Sequence, residues 1–574
     1  MLDSSAHRAC IVHRDTHKHL RSTRRTFVRA TSAAALSLPF ARWNGVDAAE
    51  RLYNGITLGS PWPPPLQVPD EHPISPPYLV APPAEIPIDV GRQLFVDDFL
   101  IESTNLQRTW HAATYHPANP ILKPERPWEL VDDSAERTKT PPNPAAMVFS
   151  DGVFYDPKDR LFKMWYMGGY SGYTCQATSA DGIGWTRPAF DVVPGTNVVS
   201  KALRDSSTVW LDLQERDPQR RYKMSLFNDL GLELYTSPDG VHWTGLGRTG
   251  YTEDRSTFFF NPFRNVWCFS LRANQYAGSI SGRYREYWES REFAAAPKWN
   301  GHAPVAWVKS DSRDFARPEI ASRSELYNLD CVAYESLMLG LFSVWRGESE
   351  LREKINEVTL GFSRDGFHWH RPERKAFLAV SDVVGSWNWA NVQSAGGGCL
   401  IVGDQLYFYV SGRQGRPGTA SPGVCTTGLA TLRRDGFASM DFMPDRVSVV
   451  RKPADSGTLT TRVITFTGEH LFVNADVSRG QLRAEVLDES GAVIAPFSRD
   501  ACVPLTANGT KQRMTWSNVP SLAAVRNRKV RLRFSMTYGQ IFSFWVSAGA
   551  TGHSGGYPAA GGPEFAGPID RGAS

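Results

Sequence analysis

Three carboxylates flank predicted inner strands and could act together. Asp205 begins the phrase Asp-Ser-Ser-Thr, Asp254 begins the similar phrase Asp-Arg-Ser-Thr, and Glu335 ends an apolar segment. A pair of carboxyl groups cleaves a glycosidic bond when one is protonated as acid and the other is ionised as base or nucleophile. We therefore expect Glu335 to be the general acid. Asp205 and Asp254 are then expected to be the base or nucleophile and the partner that sets the pKa values.

Side chains suited to holding a sugar occur near the same segments. Aromatic faces stack on sugar rings, while amides and guanidinium groups bind hydroxyls. Each candidate also has a structural alternative: Asp205 or Asp254 could cap a turn or pair with Arg, Asp98 could face solvent, and Glu129 could anchor its loop. The substrate-binding candidates are Asp98, Trp128, Glu129, Arg255, Asp330, Trp387, Trp389, Asn391 and Gln393.

A short repeat indicates the fold that must position these residues. The pattern S-x-D-G-x-x-W occurs at residues 179–185, 237–243 and 363–369, with a weaker copy at 434–437. Ser and Asp side chains bond nearby backbone, and Gly tolerates positive φ, so each copy predicts a tight turn with a structural Asp. The spacing, roughly 60 residues or twice that, indicates repeated sheets of the β-propeller kind.

Five groups of predicted strands fit that repeat. We predict an all-β fold in which a five-bladed β-propeller over residues 91–450 is followed by a β-sandwich over residues 451–548. The segment from Gly91 to Ile101 is a candidate to close the ring. Inner strands line the channel of a propeller, so polar residues at their starts should meet at one mouth. The predicted inner strands begin near Ala146, Ser206, Ser256, Leu329 and Val392.

The ends of the chain differ in composition from its centre. Residues 1–49 contain a twin-arginine motif, Thr23 to Arg29, a short apolar stretch and a small-residue cleavage site, and predict export to the periplasm or beyond. Residues 50–90 are rich in proline and predict an extended lead-in. Residues 549–574 are rich in Gly, Ala and Pro and predict a disordered tail.

Charge and cysteine content limit the partners. The formal net charge is +4, and it becomes close to neutral once residues 1–49 are removed, which argues against nucleic acid. No segment is long and apolar enough to predict a membrane span. The cysteines outside the leader lack metal-site spacing, so no metal or cofactor is predicted, and a calcium ion in the channel is left open. The expected partner is a carbohydrate substrate, and the oligomeric state is not predicted.

Several phrases resemble a known group of enzymes. The segment from Asn119-Pro120 to Trp128-Glu129, with the five strand groups and the trailing sandwich, resembles the five-bladed glycosidases of families 32, 43, 68 and 130. The phrases Leu94 to Glu102 and Phe472 to Asp476 resemble uncharacterised secreted bacterial proteins of family 32 type. The resemblance implies a central acidic pocket with two Asp and one Glu from different blades. The invertase-type W-M-N-D-P-N-G signature is absent, so fructan specificity is not implied.

Three functions remain open at this stage. The first is an exported glycoside hydrolase acting on a poly- or oligosaccharide. The second is a non-catalytic carbohydrate-binding propeller, in which the carboxylates would not converge. The third is a sialidase-like enzyme, for which Arg255, Arg272 and Arg283 are available to bind a substrate carboxylate.

Overall fold

The computed structural model is built almost wholly of strands, as the sequence predicts. It describes residues 50–572 apart from 66–71, 133–141, 203, 229, 276–281, 295–298, 300–303, 315, 318–322, 350–351 and 444–455, and the predicted leader lies outside the described residues. The described part contains one α-helix of four residues, Pro77–Val80, and no helix in it could cross a membrane. The cysteines of the described part are buried thiols with no disulfide among them.

Five antiparallel sheets follow one another along the chain, and most of their strands pair in chain order. The alternating apolar residues of these strands form one large core. Sheet 1 contains Ala146–Asp156, Leu161–Gly168, Tyr173–Ser179 and Val198–Ser200; sheet 2 contains Ser207–Leu211, Tyr222–Phe227, Leu232–Ser237 and Thr244–Arg248; sheet 3 contains Thr257–Asn261, Val266–Gln275, Gly282–Ser290 and Val305–Lys309; sheet 4 contains Glu325–Glu335, Leu337–Ser349 and Arg352–Ser363; sheet 5 contains Asn391–Ser394, Leu400–Val402, Gln405–Arg413 and Cys425–Arg433.

The five sheets form a closed ring. The first strand of each of sheets 1 to 4 contacts that of at least one neighbouring sheet, and the first strand of sheet 5 contacts both sheet 4 and sheet 1. The outer strand of sheet 5 is Thr114–Tyr115, which comes from upstream of sheet 1 and pairs with Cys425–Arg433. Residues 114–115 are therefore the upstream strand that completes the last sheet of the ring. This corrects the expectation that the segment from Gly91 to Ile101 closes the ring.

Two further sheets pack on a second apolar core. The rings of Phe534 and Phe544, one from each sheet, have centroids 5.4 Å apart. The larger sheet contains Gln93–Leu94, Gln107–Trp110, Ala438–Phe442, His470–Asp476, Asn508–Arg513 and Gly539–Ser547; the smaller contains Ile101–Thr104, Gly457–Thr461, Leu482–Leu487 and Arg531–Met536.

This two-sheet unit draws on more of the chain than residues 451–548. Its strands include residues 93–110 and 438–442, which the sequence places in the ring. The proline-rich lead-in also packs here, because Leu52 and Tyr78 belong to the second core and Ile86–Pro87 pairs in parallel with Ile464–Thr465. The lead-in is therefore packed structure where an extended linker was expected.

The repeated turns attach each sheet to the one before it in the ring. In the copy at residues 237–243, Ser237 Oγ accepts from the Gly240 amide at 2.8 Å and Asp239 Oδ1 accepts from the next two amides. The Gly240 carbonyl, in sheet 2, accepts from Trp165 Nε1 of sheet 1 at 2.8 Å. Likewise the Gly182 carbonyl of sheet 1 accepts from Tyr409 of sheet 5. The Asp residues of these turns are structural, as the motif predicts.

The C-terminal tail is ordered and covers one end of the ring. Tyr557–Pro558 pairs with the end of the first strand of sheet 4, and the Ala560 carbonyl accepts from the Tyr155 amide at the end of the first strand of sheet 1. The Ile401 amide in sheet 5 donates to the Gly561 carbonyl. These contacts correct the expectation that the tail is disordered. Because the tail contacts the ends of the first strands, the starts of these strands lie at the opposite end of the ring.

Candidate active site at the start of the inner strands

Two residues at the end of the ring opposite the tail have left-handed backbone. Ser150 and Arg255 have φ of +61° and +56°, which non-glycine residues rarely adopt. Around Ser150 the pairing of the first two strands of sheet 1 shifts between Met147 and Gly152, so extra residues bulge out of the ladder. Bulges and positive φ re-aim side chains and concentrate at functional sites.

Asp330 lies at the centre of this region and is 3% exposed. Its Oδ2 accepts hydrogen bonds from Ser150 Oγ at 3.1 Å, Asn328 Nδ2 at 2.9 Å and Ser394 Oγ at 2.5 Å, so three sheets converge on one carboxyl group. Burial raises the pKa of Asp330, and the hydrogen bond from Ser394 and the charge of Arg255 only partly oppose that rise. The environment favours the protonated form, which a general acid needs.

Arg255 crosses from sheet 3 to sheet 1. Its guanidinium donates to the Phe149 carbonyl at 3.2 Å and to Ser150 Oγ at 3.0 Å, and it lies 3.7 Å from the centre of the Phe149 ring. Its backbone amide donates to Ser206 Oγ of sheet 2. Ser150 thus touches both Arg255 and Asp330, which makes these residues one hydrogen-bonded cluster.

Asp205 and Asp254 lie beside this cluster, at the starts that the sequence predicts. Asp205 is half-buried, and its Oδ2 is buried with no hydrogen-bond partner among the described residues. The carboxylates of Asp330 and Asp205 both act on the charge of Arg255. Asp254 forms an ion pair with Arg272. The two aspartates and Arg255 are therefore brought to one end of the ring.

Amides from sheets 4 and 5 extend the polar surface. Gln393 Nε2 donates to Asn391 Oδ1 at 2.8 Å, and Asn391 Nδ2 donates to the Lys354 carbonyl at 2.9 Å. Within the described part of the chain, Gln393 Oε1, Asn328 Oδ1 and both amide atoms of Asn356 are buried without a partner. Buried polar atoms are nearly always hydrogen-bonded, so these atoms are available to a water molecule or a polar ligand.

The structure does not place Glu335 with these groups. It ends the strand that contains Asp330, five residues further on, or about 16 Å along an extended chain. Its carboxylate is 1% exposed and accepts from Arg434 at 3.0 Å, Ser554 Oγ at 2.6 Å and the Arg92 amide at 3.1 Å. This corrects the predicted acid role: Glu335 anchors the tail at the covered end.

Two other candidates also have structural roles. Asp98 is exposed and pairs with Arg108 at 2.6 Å on the two-sheet unit. Glu129 is buried and accepts from the Tyr166 hydroxyl at 2.6 Å and from Arg187 Nε at 2.7 Å, so it anchors its loop, the alternative considered from the sequence.

The three candidate tryptophans pack within the fold. Trp128 Nε1 donates to Asn197 Oδ1 at 3.0 Å. Trp387 fills the space above Gly412 and Gly428, where an added Cβ would come within 2.2 and 2.1 Å of its ring. Trp389 is 6% exposed and lies 4.9 Å from the Arg352 guanidinium. These contacts do not present an aromatic face to the Asp330 cluster.

Several residues of the cluster escaped the sequence analysis. Gly152 within a predicted strand is a signal for the bulge that carries Ser150 and Asp151. Arg204, next to Asp205, makes a fully buried ion pair with Asp151 that includes a 2.8 Å hydrogen bond. No local pattern marks Arg285, which reaches the cluster from the third strand of sheet 3.

A large cavity lies at the other end of the ring. It measures about 740 Å³ and is lined by Lys158, Arg216 and Phe565, among other residues near the ends of the first strands and the tail. It contains none of the residues of the Asp330 cluster. No group of three or more His, Cys, Asp or Glu in the described residues is placed to hold a metal ion.

No protein-family model and no curated relative matches the chain. Solved structures with a similar fold include an N-acetylgalactosamine deacetylase from F. plautii in complex with blood group B trisaccharide, at 12% identity over 55% of this chain and 97% of that chain, with a TM-score of 0.36. A thermostable family-43 glycoside hydrolase matches at 11% identity over 55% and 97%, with a TM-score of 0.35. An exo-beta-1,3-galactanase from Phanerochaete chrysosporium matches at 11% identity over 76% and 99%, with a TM-score of 0.30.

Proposed function

We propose that this protein is a glycoside hydrolase, built as a five-bladed propeller braced by a β-sandwich, that acts at the uncovered end of its ring. The observation that carries the proposal is the pairing of two carboxyl groups. Asp330 is buried and has a raised pKa, and the half-buried Asp205 lies beside its cluster. Two carboxyl groups in such different environments match the acid and the base or nucleophile of glycoside hydrolysis.

In the proposed reaction the Asp330 carboxyl donates its proton to the glycosidic oxygen as the bond from that oxygen to the anomeric carbon breaks. The leaving sugar departs as an alcohol. The Asp205 carboxylate either takes a proton from a water molecule that attacks the anomeric carbon, or attacks that carbon itself. In the second route water then breaks the bond between the sugar and Asp205, and the ionised Asp330 takes the proton of that water. Asp254, paired with Arg272, lies close enough in the chain to Arg255 to influence the charge of the site.

The test is a screen of the mature protein against glycans and aryl glycosides. The kcat values of Asp330→Asn and Asp205→Asn are then compared with that of the wild-type protein on the best substrate found. Each change should lower kcat by about 10²- to 10⁴-fold, because each removes a proton-transfer or nucleophilic group. Asp98→Asn, at the exposed ion pair, is the matched control and should keep full activity. Unchanged kcat in both site variants would remove Asp330 and Asp205 from the proposed roles.

A non-catalytic carbohydrate-binding propeller is the second candidate. Two observations favour it: Glu335 lies apart from Asp205 and Asp254, and the buried Asp330 Oδ2 already accepts three hydrogen bonds. It predicts glycan binding by calorimetry with no release of product over days, whereas the hydrolase predicts both binding and cleavage.

Export by the twin-arginine route also stays a proposal, supported by the motif from Thr23 to Arg29. Replacing Arg24 and Arg25 by Lys should hold the unprocessed protein in the cytoplasm. The measurement is cell fractionation followed by N-terminal sequencing of the exported form.

A further inference from the structure

Two buried arginines differ from most of the others in the described structure. Most buried arginines form ion pairs with carboxylates, for example Arg92 with Asp435, Arg204 with Asp151, Arg364 with Asp97, and Arg371 with Asp314. Arg255 and Arg285 are 1% and 0% exposed and form no ion pair among the described residues.

Arg255 and Arg285 bind only neutral acceptors. Arg255 donates to the Phe149 carbonyl and to Ser150 Oγ, while Arg285 donates to the carbonyls of Arg255 and Tyr327. Removing a guanidinium from water without a counter-ion costs several kcal/mol, so such a pair persists only where something else compensates it.

The neighbouring acids form no ion pair with Arg255 or Arg285 in the described structure, although the charges of Asp330 and Asp205 both act on Arg255. Asp254 is engaged by Arg272, and Glu325 is engaged by Arg283. Asp330 already accepts three hydrogen bonds, and the Ser150 hydroxyl lies between it and Arg255. Burial lowers the pKa of Arg285, and the charges of Arg272 and Arg255 lower it further, as expected for crowded like charges.

We infer that the sugar bound at this end of the ring carries an anionic group, a carboxylate or a sulfate, which Arg255 and Arg285 hold. A planar guanidinium matches either oxyanion with two parallel hydrogen bonds. The inference rests on the proposed function for the location of the sugar, and it adds the substrate class. An acidic glycan would neutralise the buried pair, which the neutral protein acceptors do not.

The test measures Kd by calorimetry for three trisaccharides: one containing galacturonic acid, its neutral galactose counterpart, and a 6-sulfated galactose counterpart. Either anionic ligand should bind the wild-type protein about tenfold or more tighter than the neutral one, the usual value of a charge-assisted hydrogen bond. Preference for the uronic acid identifies a carboxylate as the anion, and preference for the sulfated ligand identifies a sulfate. Equal Kd for all three would overturn the inference.

Substitution of the two arginines tests whether they bind the anionic group. Arg255→Gln and Arg285→Gln should each lose the preference for the anionic ligand over the neutral one. Arg108→Gln, at the exposed pair with Asp98, is the control and should keep the preference. Arg255→Lys keeps the charge and should keep part of it. Preference retained in both Gln variants would contradict the assignment, and the wild-type comparison decides the question even if a Gln variant fails to fold.

Separate measurements of ligand binding and ligand cleavage distinguish this inference from the proposal that the protein is a hydrolase. Tight binding of an anionic ligand without its cleavage supports the inference and contradicts the proposed function. Cleavage of neutral glycans with no preference for acidic ones contradicts the inference and leaves the proposed function standing.

Discussion

Ser150 is the residue through which the candidate site is organised. Its hydroxyl donates to Asp330 and accepts from both Arg255 and Asn328, and its own backbone has positive φ. A residue in that conformation is held there by its surroundings, at a cost of about 1–3 kcal/mol. Ser150 therefore acts on the acid through a hydrogen bond, as a positioning residue.

Ser150→Ala should shift the pH dependence of the enzyme. The Ser150 hydrogen bond favours the ionised form of Asp330 and opposes the rise in its pKa caused by burial. Without it, the pKa of Asp330 rises further, and the alkaline limb of the kcat/KM profile moves to higher pH. The measurement is kcat/KM from pH 4 to 9 for wild type and variant. A limb that stays in place, or moves to lower pH, would contradict the role of Asp330 as acid.

At the scale of elements, the repeated turn is the device that joins sheets. Each of the three full copies places its glycine with positive φ against the preceding sheet, where there is no room for a side chain. The Asp and Ser side chains of the motif accept hydrogen bonds from backbone amides within the turn, so they are engaged in holding the turn together. This is why the motif could be assigned a structural role from its residue types alone.

Gly240→Ala should destabilise the protein by about 2–4 kcal/mol. The new Cβ would lie 2.4 Å from Trp165 Cζ2, and φ at this position is +82°. Overpacking and left-handed strain each cost about 1–3 kcal/mol. Gly195→Ala is the matched control, since its φ is +79° and no atom lies within 4 Å of the added Cβ. Urea unfolding measures both, and equal losses would show that contact with Trp165 contributes nothing.

Sequence patterns located the inner strands but not the contacts made at their ends. Asp205, Asp254 and Arg255 were found because each belongs to a local phrase that opens a strand. Glu335 was misplaced because its role depends on Ser554, 219 residues away. The composition of the tail predicts disorder, yet its backbone finds partners at the ends of three sheets. Such long-range contacts leave no local signal.

At the scale of the molecule, one buried cluster joins the ring, the tail and the two-sheet unit. Glu335 binds Arg434 and Ser554, and Arg92 binds both Glu335 and Asp435. Burial opposes ionisation of Asp435, but the charges of Arg92 and Arg434 more than offset it and hold its pKa at about 2. The cluster lies at the covered end of the ring, away from Asp330.

Glu335→Gln should therefore lower stability without changing catalysis. Removing one partner of a buried ion pair leaves charge uncompensated and costs about 3–5 kcal/mol. The free energy of unfolding in urea should fall by that order, while kcat of the folded protein stays at the wild-type value. A large fall in kcat at unchanged stability would return Glu335 to the role of acid and contradict the present placement of the site.

The most direct test of the account is a crystal structure of the Asp330→Asn protein soaked with the best-bound oligosaccharide. We expect a sugar at the end of the ring opposite the tail, with its glycosidic oxygen within hydrogen-bond distance of residue 330 and its anomeric carbon facing Asp205. A sugar bound instead in the cavity near Phe565, or on the two-sheet unit, with the Asp330 cluster holding only water, would contradict it.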